Sequence, residues 1–221
     1  MKLYFSNGSP FARKVRIVLA ELGLAYEADV ADGLRPTSGE LGPTLAIPVL
    51  HDGEHRLWES DLIIDYLLKT YPEVAVRSAG TPKLAPALTR PNYHWHDMTV
   101  LATIQTCASS IVNLRLMASD GIGPQNSDYL ARQGARIDRC LDWLESQVTD
   151  EGFAPGWFSI MDIAFICPME FAETRGVVNW RGRRKLDALF DRHRERPSIK
   201  ATPVNVMPPL QPRYVVRREP A

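Results

Sequence analysis

An apolar, strand-length start, Lys2-Leu3-Tyr4-Phe5, runs within a few residues into Ser9-Pro10 and then into apolar positions at helical spacing. Serine is a good helix N-cap and proline a good first helical residue, so the chain must turn from strand to helix here. Phe11, Val15, Val18, Leu19 and Leu22 follow at helical spacing, and Gly23 supplies a stop. Tyr26 to Val30 then alternates like a second strand. The segment from Asp32 to Thr44 is rich in Gly, Pro, Ser and Thr and reads as loop or weak helix. Ile47 to His51 and His55 to Trp58 read as a hairpin around Asp52-Gly53. Ser60 is expected to cap a helix with Leu62, Ile63, Tyr66 and Leu67 on one side.

That order, βαβ then ββα, is the order of a thioredoxin-like half. The expected fold is therefore α/β plus all-α: a thioredoxin-like N-terminal domain over 1–75 and an all-helical C-terminal domain over 86–200. The boundary falls between Pro72 and Pro86. Helices are expected over Pro91 to Met117, Asp128 to Val148, Ile163 to Thr174 and Arg183 to His193. Ser159-Ile160-Met161-Asp162 has the pattern of a capping box. The helix it opens is apolar nearly all round and should be buried. From Pro197 onward the prolines predict no regular helix, so 201–221 reads as an extended Pro-rich tail.

Composition excludes some partners. The formal net charge is zero, which gives no global attraction to nucleic acid or to an anionic membrane. The arginines near the C-terminal end are interleaved with Asp187, Asp191 and Glu195 and read as a solvated helix face. Cys107, Cys140 and Cys167 are far apart, with neither a CxxC nor a metal-ligand spacing, which fits a reduced, cytoplasmic location. Met1-Lys2-Leu3-Tyr4 opens no signal-peptide pattern, and no uninterrupted apolar run approaches membrane-spanning length. His94 and His96 stand two apart and do not share a helix face, so no metal is expected.

Two stretches carry the chemistry. One is Ser9-Pro10-Phe11-Ala12-Arg13-Lys14-Val15-Arg16. The other is Ile47-Pro48-Val49-Leu50, followed by Trp58-Glu59-Ser60-Asp61. In this order and spacing they resemble the glutathione-binding half of a cytosolic glutathione S-transferase, of the bacterial, serine-type kind. The resemblance covers nearly the whole chain up to about Pro203. It implies a thioredoxin-like domain followed by a helical one, glutathione as co-substrate, a small hydrophobic electrophile as partner, and a homodimer.

Glutathione presents a thiol of pKa about 8.5, and the thiolate is the nucleophile. Lowering that value by about 2 units corresponds to about 2.7 kcal/mol of thiolate stabilisation. A helix N-terminus and a hydroxyl donor both favour the thiolate, and Ser9 offers both. Ser9 falls where serine-type members carry their catalytic hydroxyl, with Arg13 one turn further in as added charge. Tyr4 is the rival, as tyrosine-type members use a tyrosine near the end of the first strand. Pro10 stands where beta-class members have cysteine, which argues against a mixed disulfide with glutathione.

The resemblance further implies a cis Ile47–Pro48 bond, with the main chain of Val49 facing an open groove and pairing with the cysteinyl backbone of glutathione. Ile47, Pro48 and Val49 thus join Glu59 and Ser60 as the glutathione-binding set. Ser60 would hold the γ-glutamyl carboxylate at a helix N-terminus, and Glu59 the ammonium. Ala46 departs from the polar residue many relatives carry, and Gly42 from a frequent Asn; Arg35 is a candidate to hold the glycyl carboxylate instead. The electrophile pocket is expected between the domains, from Phe11, Tyr93, His96, Asp97, Met98 and Leu101. Two other readings stand beside conjugation: a glutathione-dependent isomerase or lyase, and a non-catalytic transferase-like binding or regulatory protein.

Overall fold

The computed structural model describes residues 1–30, 42–72 and 82–204. Strand β1 (Lys2–Phe5) leads into helix α1 (Pro10–Leu22), which returns to β2 (Glu27–Val30). The hairpin is β3 (Val49–Asp52) and β4 (His55–Trp58), followed by helix α2 (Ser60–Thr70). The sheet order is β2-β1-β3-β4, with β1 and β2 parallel and the other pairs antiparallel. Leu3, Phe5 and Leu50 turn one sheet face inward, where α1 and α2 contribute Val15, Val18, Leu19, Ile63, Ile64 and Leu67. This is the βαβ–ββα thioredoxin-like arrangement.

Local chemistry sets the ends of α1. Ser9 is its N-cap, accepting from Ala12 N at 3.2 Å, and Pro10 is the first helical residue. Gly23 closes it at φ 66, a left-handed conformation that glycine adopts without a Cβ penalty.

The second half is helical: α3 (His94–Ser119), α4 (Asp128–Gln147), α5 (Ile160–Arg175), α6 (Arg184–His193) and α7 (Pro197–Lys200). Two short strands that the sequence reading did not anticipate, β5 (Lys83–Leu84) and β6 (Trp157–Phe158), pair in parallel. Helix α5 is the core element, packing on both α1 and α3. The expected capping box is present: Ser159 Oγ accepts from Asp162 N at 3.1 Å, and Asp162 accepts from Ser159 N at 2.8 Å and Phe153 N at 3.0 Å.

Three expectations need correction. Helix α3 begins at His94 rather than Pro91, because Asp97 binds Arg90 by its main-chain N at 2.8 Å and by its guanidinium at 2.6 and 3.0 Å. Residues 98–114 of α3 carry no charge, and the helix is long and apolar enough to cross a membrane by length and composition. Here it packs against α4 and α5. Pro197 starts a short helix instead of preventing one, since a proline at the first position sacrifices no helical hydrogen bond. Residues 205–221 of the expected tail, like Arg35, lie outside the described residues.

The segment after α6 is clamped to α1. Arg196 makes a two-pronged ion pair with Glu21 at 2.6 and 2.7 Å, and Ser198 Oγ also donates to Glu21. Arg196 is thus buried, not part of a solvated basic face. Nearby, His193 stacks on Phe158. Burial first, then the charges of Arg196 and Arg192, push its imidazole from 6.5 down to about 4.

The sign of the pH dependence follows. The folded chain keeps His193 neutral where the unfolded chain protonates it, so its contribution is full above pH 6.5 and is lost as pH falls towards 4. Asp162 runs the other way, because burial lifts its carboxyl from 3.8 to about 6. Its contribution is full below 3.8 and is lost as pH rises through 6. The two oppose each other in wild type. His193→Phe is expected to remove the first alone. Between pH 6.5 and 4 the variant should then lose less stability than wild type, by up to roughly 3 kcal/mol, in urea unfolding curves. Parallel curves for the two proteins would exclude this linkage.

Candidate functional site

Strand register brings the two sequence stretches together. Tyr4 lies opposite Val49, and Val49 opposite Trp58. The chain leaving β1 towards Ser9, the chain entering β3 through Ile47-Pro48, and the chain leaving β4 into Glu59-Ser60 therefore share one end of the sheet. Helices α1 and α2 both start there, with the positive ends of their dipoles.

Ser9 is half-buried at the α1 start. Accepting from Ala12 N leaves its hydroxyl proton to be donated elsewhere. The main-chain N–H of Ser9 bonds Ser6 O at 3.1 Å, Pro10 has none, and Ala12 N is capped. That leaves Phe11 N–H as the first-turn donor without a partner among the described residues. Tyr4 lies on the sheet, its ring edge-on to His51 at 4.8 Å, with Lys2 Nζ 5.0 Å from its centre.

The Ile47–Pro48 bond is cis. Val49 does not meet the expectation of an open main chain. It is fully buried and flanked by β1 on one side and β4 on the other. A strand residue points its N–H and C=O to the same side, and on either side of Val49 a strand already stands. Ile47, half-buried and just outside β3, is the residue whose main chain can serve an extended ligand.

At α2 the N-cap is Glu59, not Ser60, and it makes no side-chain capping bond. Ser60 is the first helical residue and is buried. The first-turn amides of α2 have no carbonyl one turn back, so this helix start is open to an anion. Glu59 itself is exposed and held at φ 71, a conformation that L-residues rarely adopt. Such strain persists where surrounding structure fixes it, and it clusters at functional sites.

Other expected residues fall elsewhere. Arg13 does not lie beside Ser9 Oγ as free charge. Its Nε donates to Thr202 O at 2.6 Å, and NH1 pairs with Glu170 Oε2 at 2.8 Å, so it ties α1 to the turn after α7 and to α5. Asp97, fully buried, anchors Arg90, and His96 bridges to Gln147 Oε1 at 3.1 Å. Tyr93 stacks with Arg90, Met98 is exposed, and Leu101 is core. On α3, Gln105 hydrogen-bonds α1, its Oε1 3.4 Å from Lys14 Nζ, and it stands roughly 16 Å along the helix from His94. The expected pocket residues on α3 therefore lie towards the helix start, from about one turn (Leu101) to about two and a half turns (His96) before that contact. Gly42, at φ 150, packs against the Trp58 ring, and Ala46 is exposed.

Sequence reasoning missed what the helical domain contributes. Arg175, at the end of α5, donates to Gly8 O at 3.4 Å, one residue before Ser9. Burial, then the charge of Arg115 on α3, lowers its pKa. No local pattern marks Arg175, because only tertiary packing brings it to the loop. Among the described residues no cluster of His, Cys, Asp and Glu could hold a metal.

The architecture is a thioredoxin-like domain followed by a helical domain, with the starts of α1 and α2 at one sheet end. Residues 3–75 match the family model for the glutathione S-transferase N-terminal domain. The chain is 27% identical over 184 residues to the uncharacterized GST-like protein YibF of Escherichia coli K12, covering 80% of this chain and 84% of that one. It is 29% identical over 125 residues to a stringent starvation protein A homolog of Pasteurella multocida, spanning 54% of this chain and 59% of that one. Among solved structures, a glutathione S-transferase of Methylobacillus flagellatus with glutathione bound superposes with a TM-score of 0.70 at 27% identity, covering 91% of this chain and 98% of that one. Residues 3–75 thus belong to the glutathione S-transferase N-terminal domain family, and the whole chain shares the fold of glutathione S-transferases.

Relief of the Glu59 strain is measurable without any ligand. Glu59→Gly is expected to stabilise the protein by about 1 kcal/mol, or about 2–4 °C in midpoint for a chain of this size. Glu59→Ala should give no such gain. Equal midpoints for the glycine and alanine variants would show that the backbone there is unstrained.

Proposed function

We propose that the protein conjugates the glutathione thiolate to a small hydrophobic electrophile. The observation that carries this reading is the meeting of Ser9, Ile47-Pro48 and Glu59-Ser60 at one sheet end, with two helix starts directed there. Ser60 and the open α2 start hold the γ-glutamyl carboxylate, and Glu59 holds the ammonium. The main chain around Ile47-Pro48 pairs with the cysteinyl backbone. The Ser9 hydroxyl donates to sulfur, and the α1 dipole adds to the same effect. The thiolate attacks the electrophile's carbon, the leaving group departs with its electron pair, and no metal is needed for that step. Ser9 is preferred to Tyr4 because Tyr4 packs on His51. A reducing, cytoplasmic setting agrees with the free Cys107, Cys140 and Cys167.

Ser9→Ala is expected to slow conjugation of an aryl halide by roughly 10- to 100-fold, about 1.4–2.7 kcal/mol. It should also raise the thiol pKa in the pH–rate profile and leave glutathione affinity nearly unchanged. Loss of the cap costs about 1 kcal/mol of stability, so unfolding is measured alongside. An unchanged rate in Ser9→Ala with activity abolished in Tyr4→Phe would make the enzyme tyrosine-type.

A binding or regulatory role is the second reading, favoured by the likeness to a stringent starvation protein A homolog and by the absence of a polar side chain at Ala46. Wild-type protein that binds glutathione but conjugates none of a panel of aryl halides, epoxides and enones would favour it.

We also propose a homodimer. Trp95, Met98 and Leu62 are exposed, and Thr99 and Thr106 turn their hydroxyls onto their own helix, bonding Trp95 O and Ala102 O. The outer face of α3 is thereby uncharged, with its hydroxyls already engaged. Sedimentation should give about twice 24.8 kDa at micromolar concentration, and Ala102→Glu should shift the protein to monomer. A monomeric wild type would exclude this assembly.

A further inference from the structure

Lys14 is a buried cation that the proposed chemistry leaves unused. It is 3% exposed, one turn inside α1 from Pro10. Its Nζ lies 2.6 Å from Asp61 Oδ1 and 3.4 Å from Gln105 Oε1. The side chain therefore joins three elements: the helix that Ser9 caps, the second residue of α2, and the middle of α3.

This is a costly residue to place here. A buried ammonium loses its hydration, and a long flexible stem loses its rotamer freedom. The α2 start is also the positive end of a dipole, which disfavours a cation. A leucine would fill the same space with none of these penalties. What lysine adds is a short, charge-assisted bond to one carboxylate in the first turn of α2. Asp61 directly follows Ser60, so the position of that carboxylate is the position of the open helix start.

We propose that Lys14 is a positioning residue that sets the spacing between the α1 start at Ser9 and the α2 start at Ser60. The inference rests on the glutathione reading, since a single glutathione must reach both starts at once. Helices α1 and α2 also pack on one another through apolar side chains, but that contact is non-directional and does not fix the register of their two starts. The Lys14–Asp61 pair is a direct side-chain strut between them, and Gln105 braces it from the helical domain. Because Lys14 contacts neither expected thiol nor γ-glutamyl partners, its effect falls on how well one ligand spans the site.

The test uses the full chain, with glutathione itself as the probe. Isothermal titration and steady-state kinetics are run on wild type, Lys14→Met, Lys14→Arg and the double variant Lys14→Met/Asp61→Leu, with thermal unfolding of each. Lys14→Met is expected to raise the Kd and the KM for glutathione about 10-fold and to change kcat less than about threefold. That fold-change corresponds to about 1.4 kcal/mol. Lys14→Arg, which keeps the charge, should recover most of the affinity. The double variant should regain stability, having no uncompensated carboxylate, but should keep the weakened affinity because the strut is gone. A double variant with wild-type affinity would overturn the proposal, since the single variant's loss would then come from the stranded Asp61 charge. So would a Lys14→Met protein that melts earlier yet binds as wild type does. Wild-type protein that binds no glutathione would instead overturn the reading on which the proposal stands.

Discussion

Two adjacent buried cations on α1 hold the rest of the molecule in place. Neighbouring helical positions project about 100° apart, so Arg13 and Lys14 reach in different directions. Arg13 takes Glu170 of α5 and the carbonyls of Ile199 and Thr202, while Lys14 takes Asp61 of α2 and Gln105 of α3. At the other end of the helix, Glu21 receives Arg196 and Ser198. Helix α1 is thus gripped at both ends by segments distant in sequence. Buried charges are weak evidence for net stability, because desolvation offsets most of the attraction. Removing one partner is another matter and costs about 3–5 kcal/mol. The arrangement favours one definite placement of α1, which is what a site built on its first residue requires.

The sequence made the thioredoxin-like half legible because its signals are local. Ser9-Pro10, Gly23 and Asp52-Gly53 each act within a few residues, and each lies where an element starts or stops. The cis Ile47–Pro48 bond followed from resemblance, not from local rules. The misassignments have two causes, backbone strain and tertiary placement. Ser60 is a strong cap by type, but the strained turn at Glu59 moves the helix boundary one residue back. Val49 was expected at an open edge, and sheet order places it between two strands. Arg13 reads as a site charge from its distance to Ser9 along the helix, and only the fold of residues 196–202 shows where its guanidinium goes. The Val49 and Arg13 errors lie where a distant segment decides the outcome, and the Ser60 error where a strained turn overrides residue type.

The contact between α3 and α1 illustrates the limit of local patterns. A long helix can meet a site anywhere along its length, and hydrophobic periodicity does not say where. The aromatic and histidine cluster at the start of α3 drew the expectation towards Tyr93 and His96. Those residues serve the linker instead, with Arg90 locked between Tyr93 and Asp97. The hydrogen bond to α1 falls at Gln105, and Arg115 acts on Arg175 beside the Ser9 loop.

The balance between the catalytic and the regulatory readings turns on which parts of the site carry a cost. Glu59 is an L-residue at φ 71, a conformation that glycine would adopt without strain. The α2 start also lacks a side-chain cap, where a capping residue contributes about 1 kcal/mol. Both features oppose stability, and both face the same sheet end as Ser9. Ala46 weighs the other way, yet it removes one contact at the rim and leaves both helix starts intact. Under the proposed reading, a ligand carboxylate at the α2 start is what offsets these two unfavourable features. That argument supports binding more strongly than it supports chemistry, because conjugation asks one thing more: a hydroxyl at Ser9 that favours thiolate over thiol.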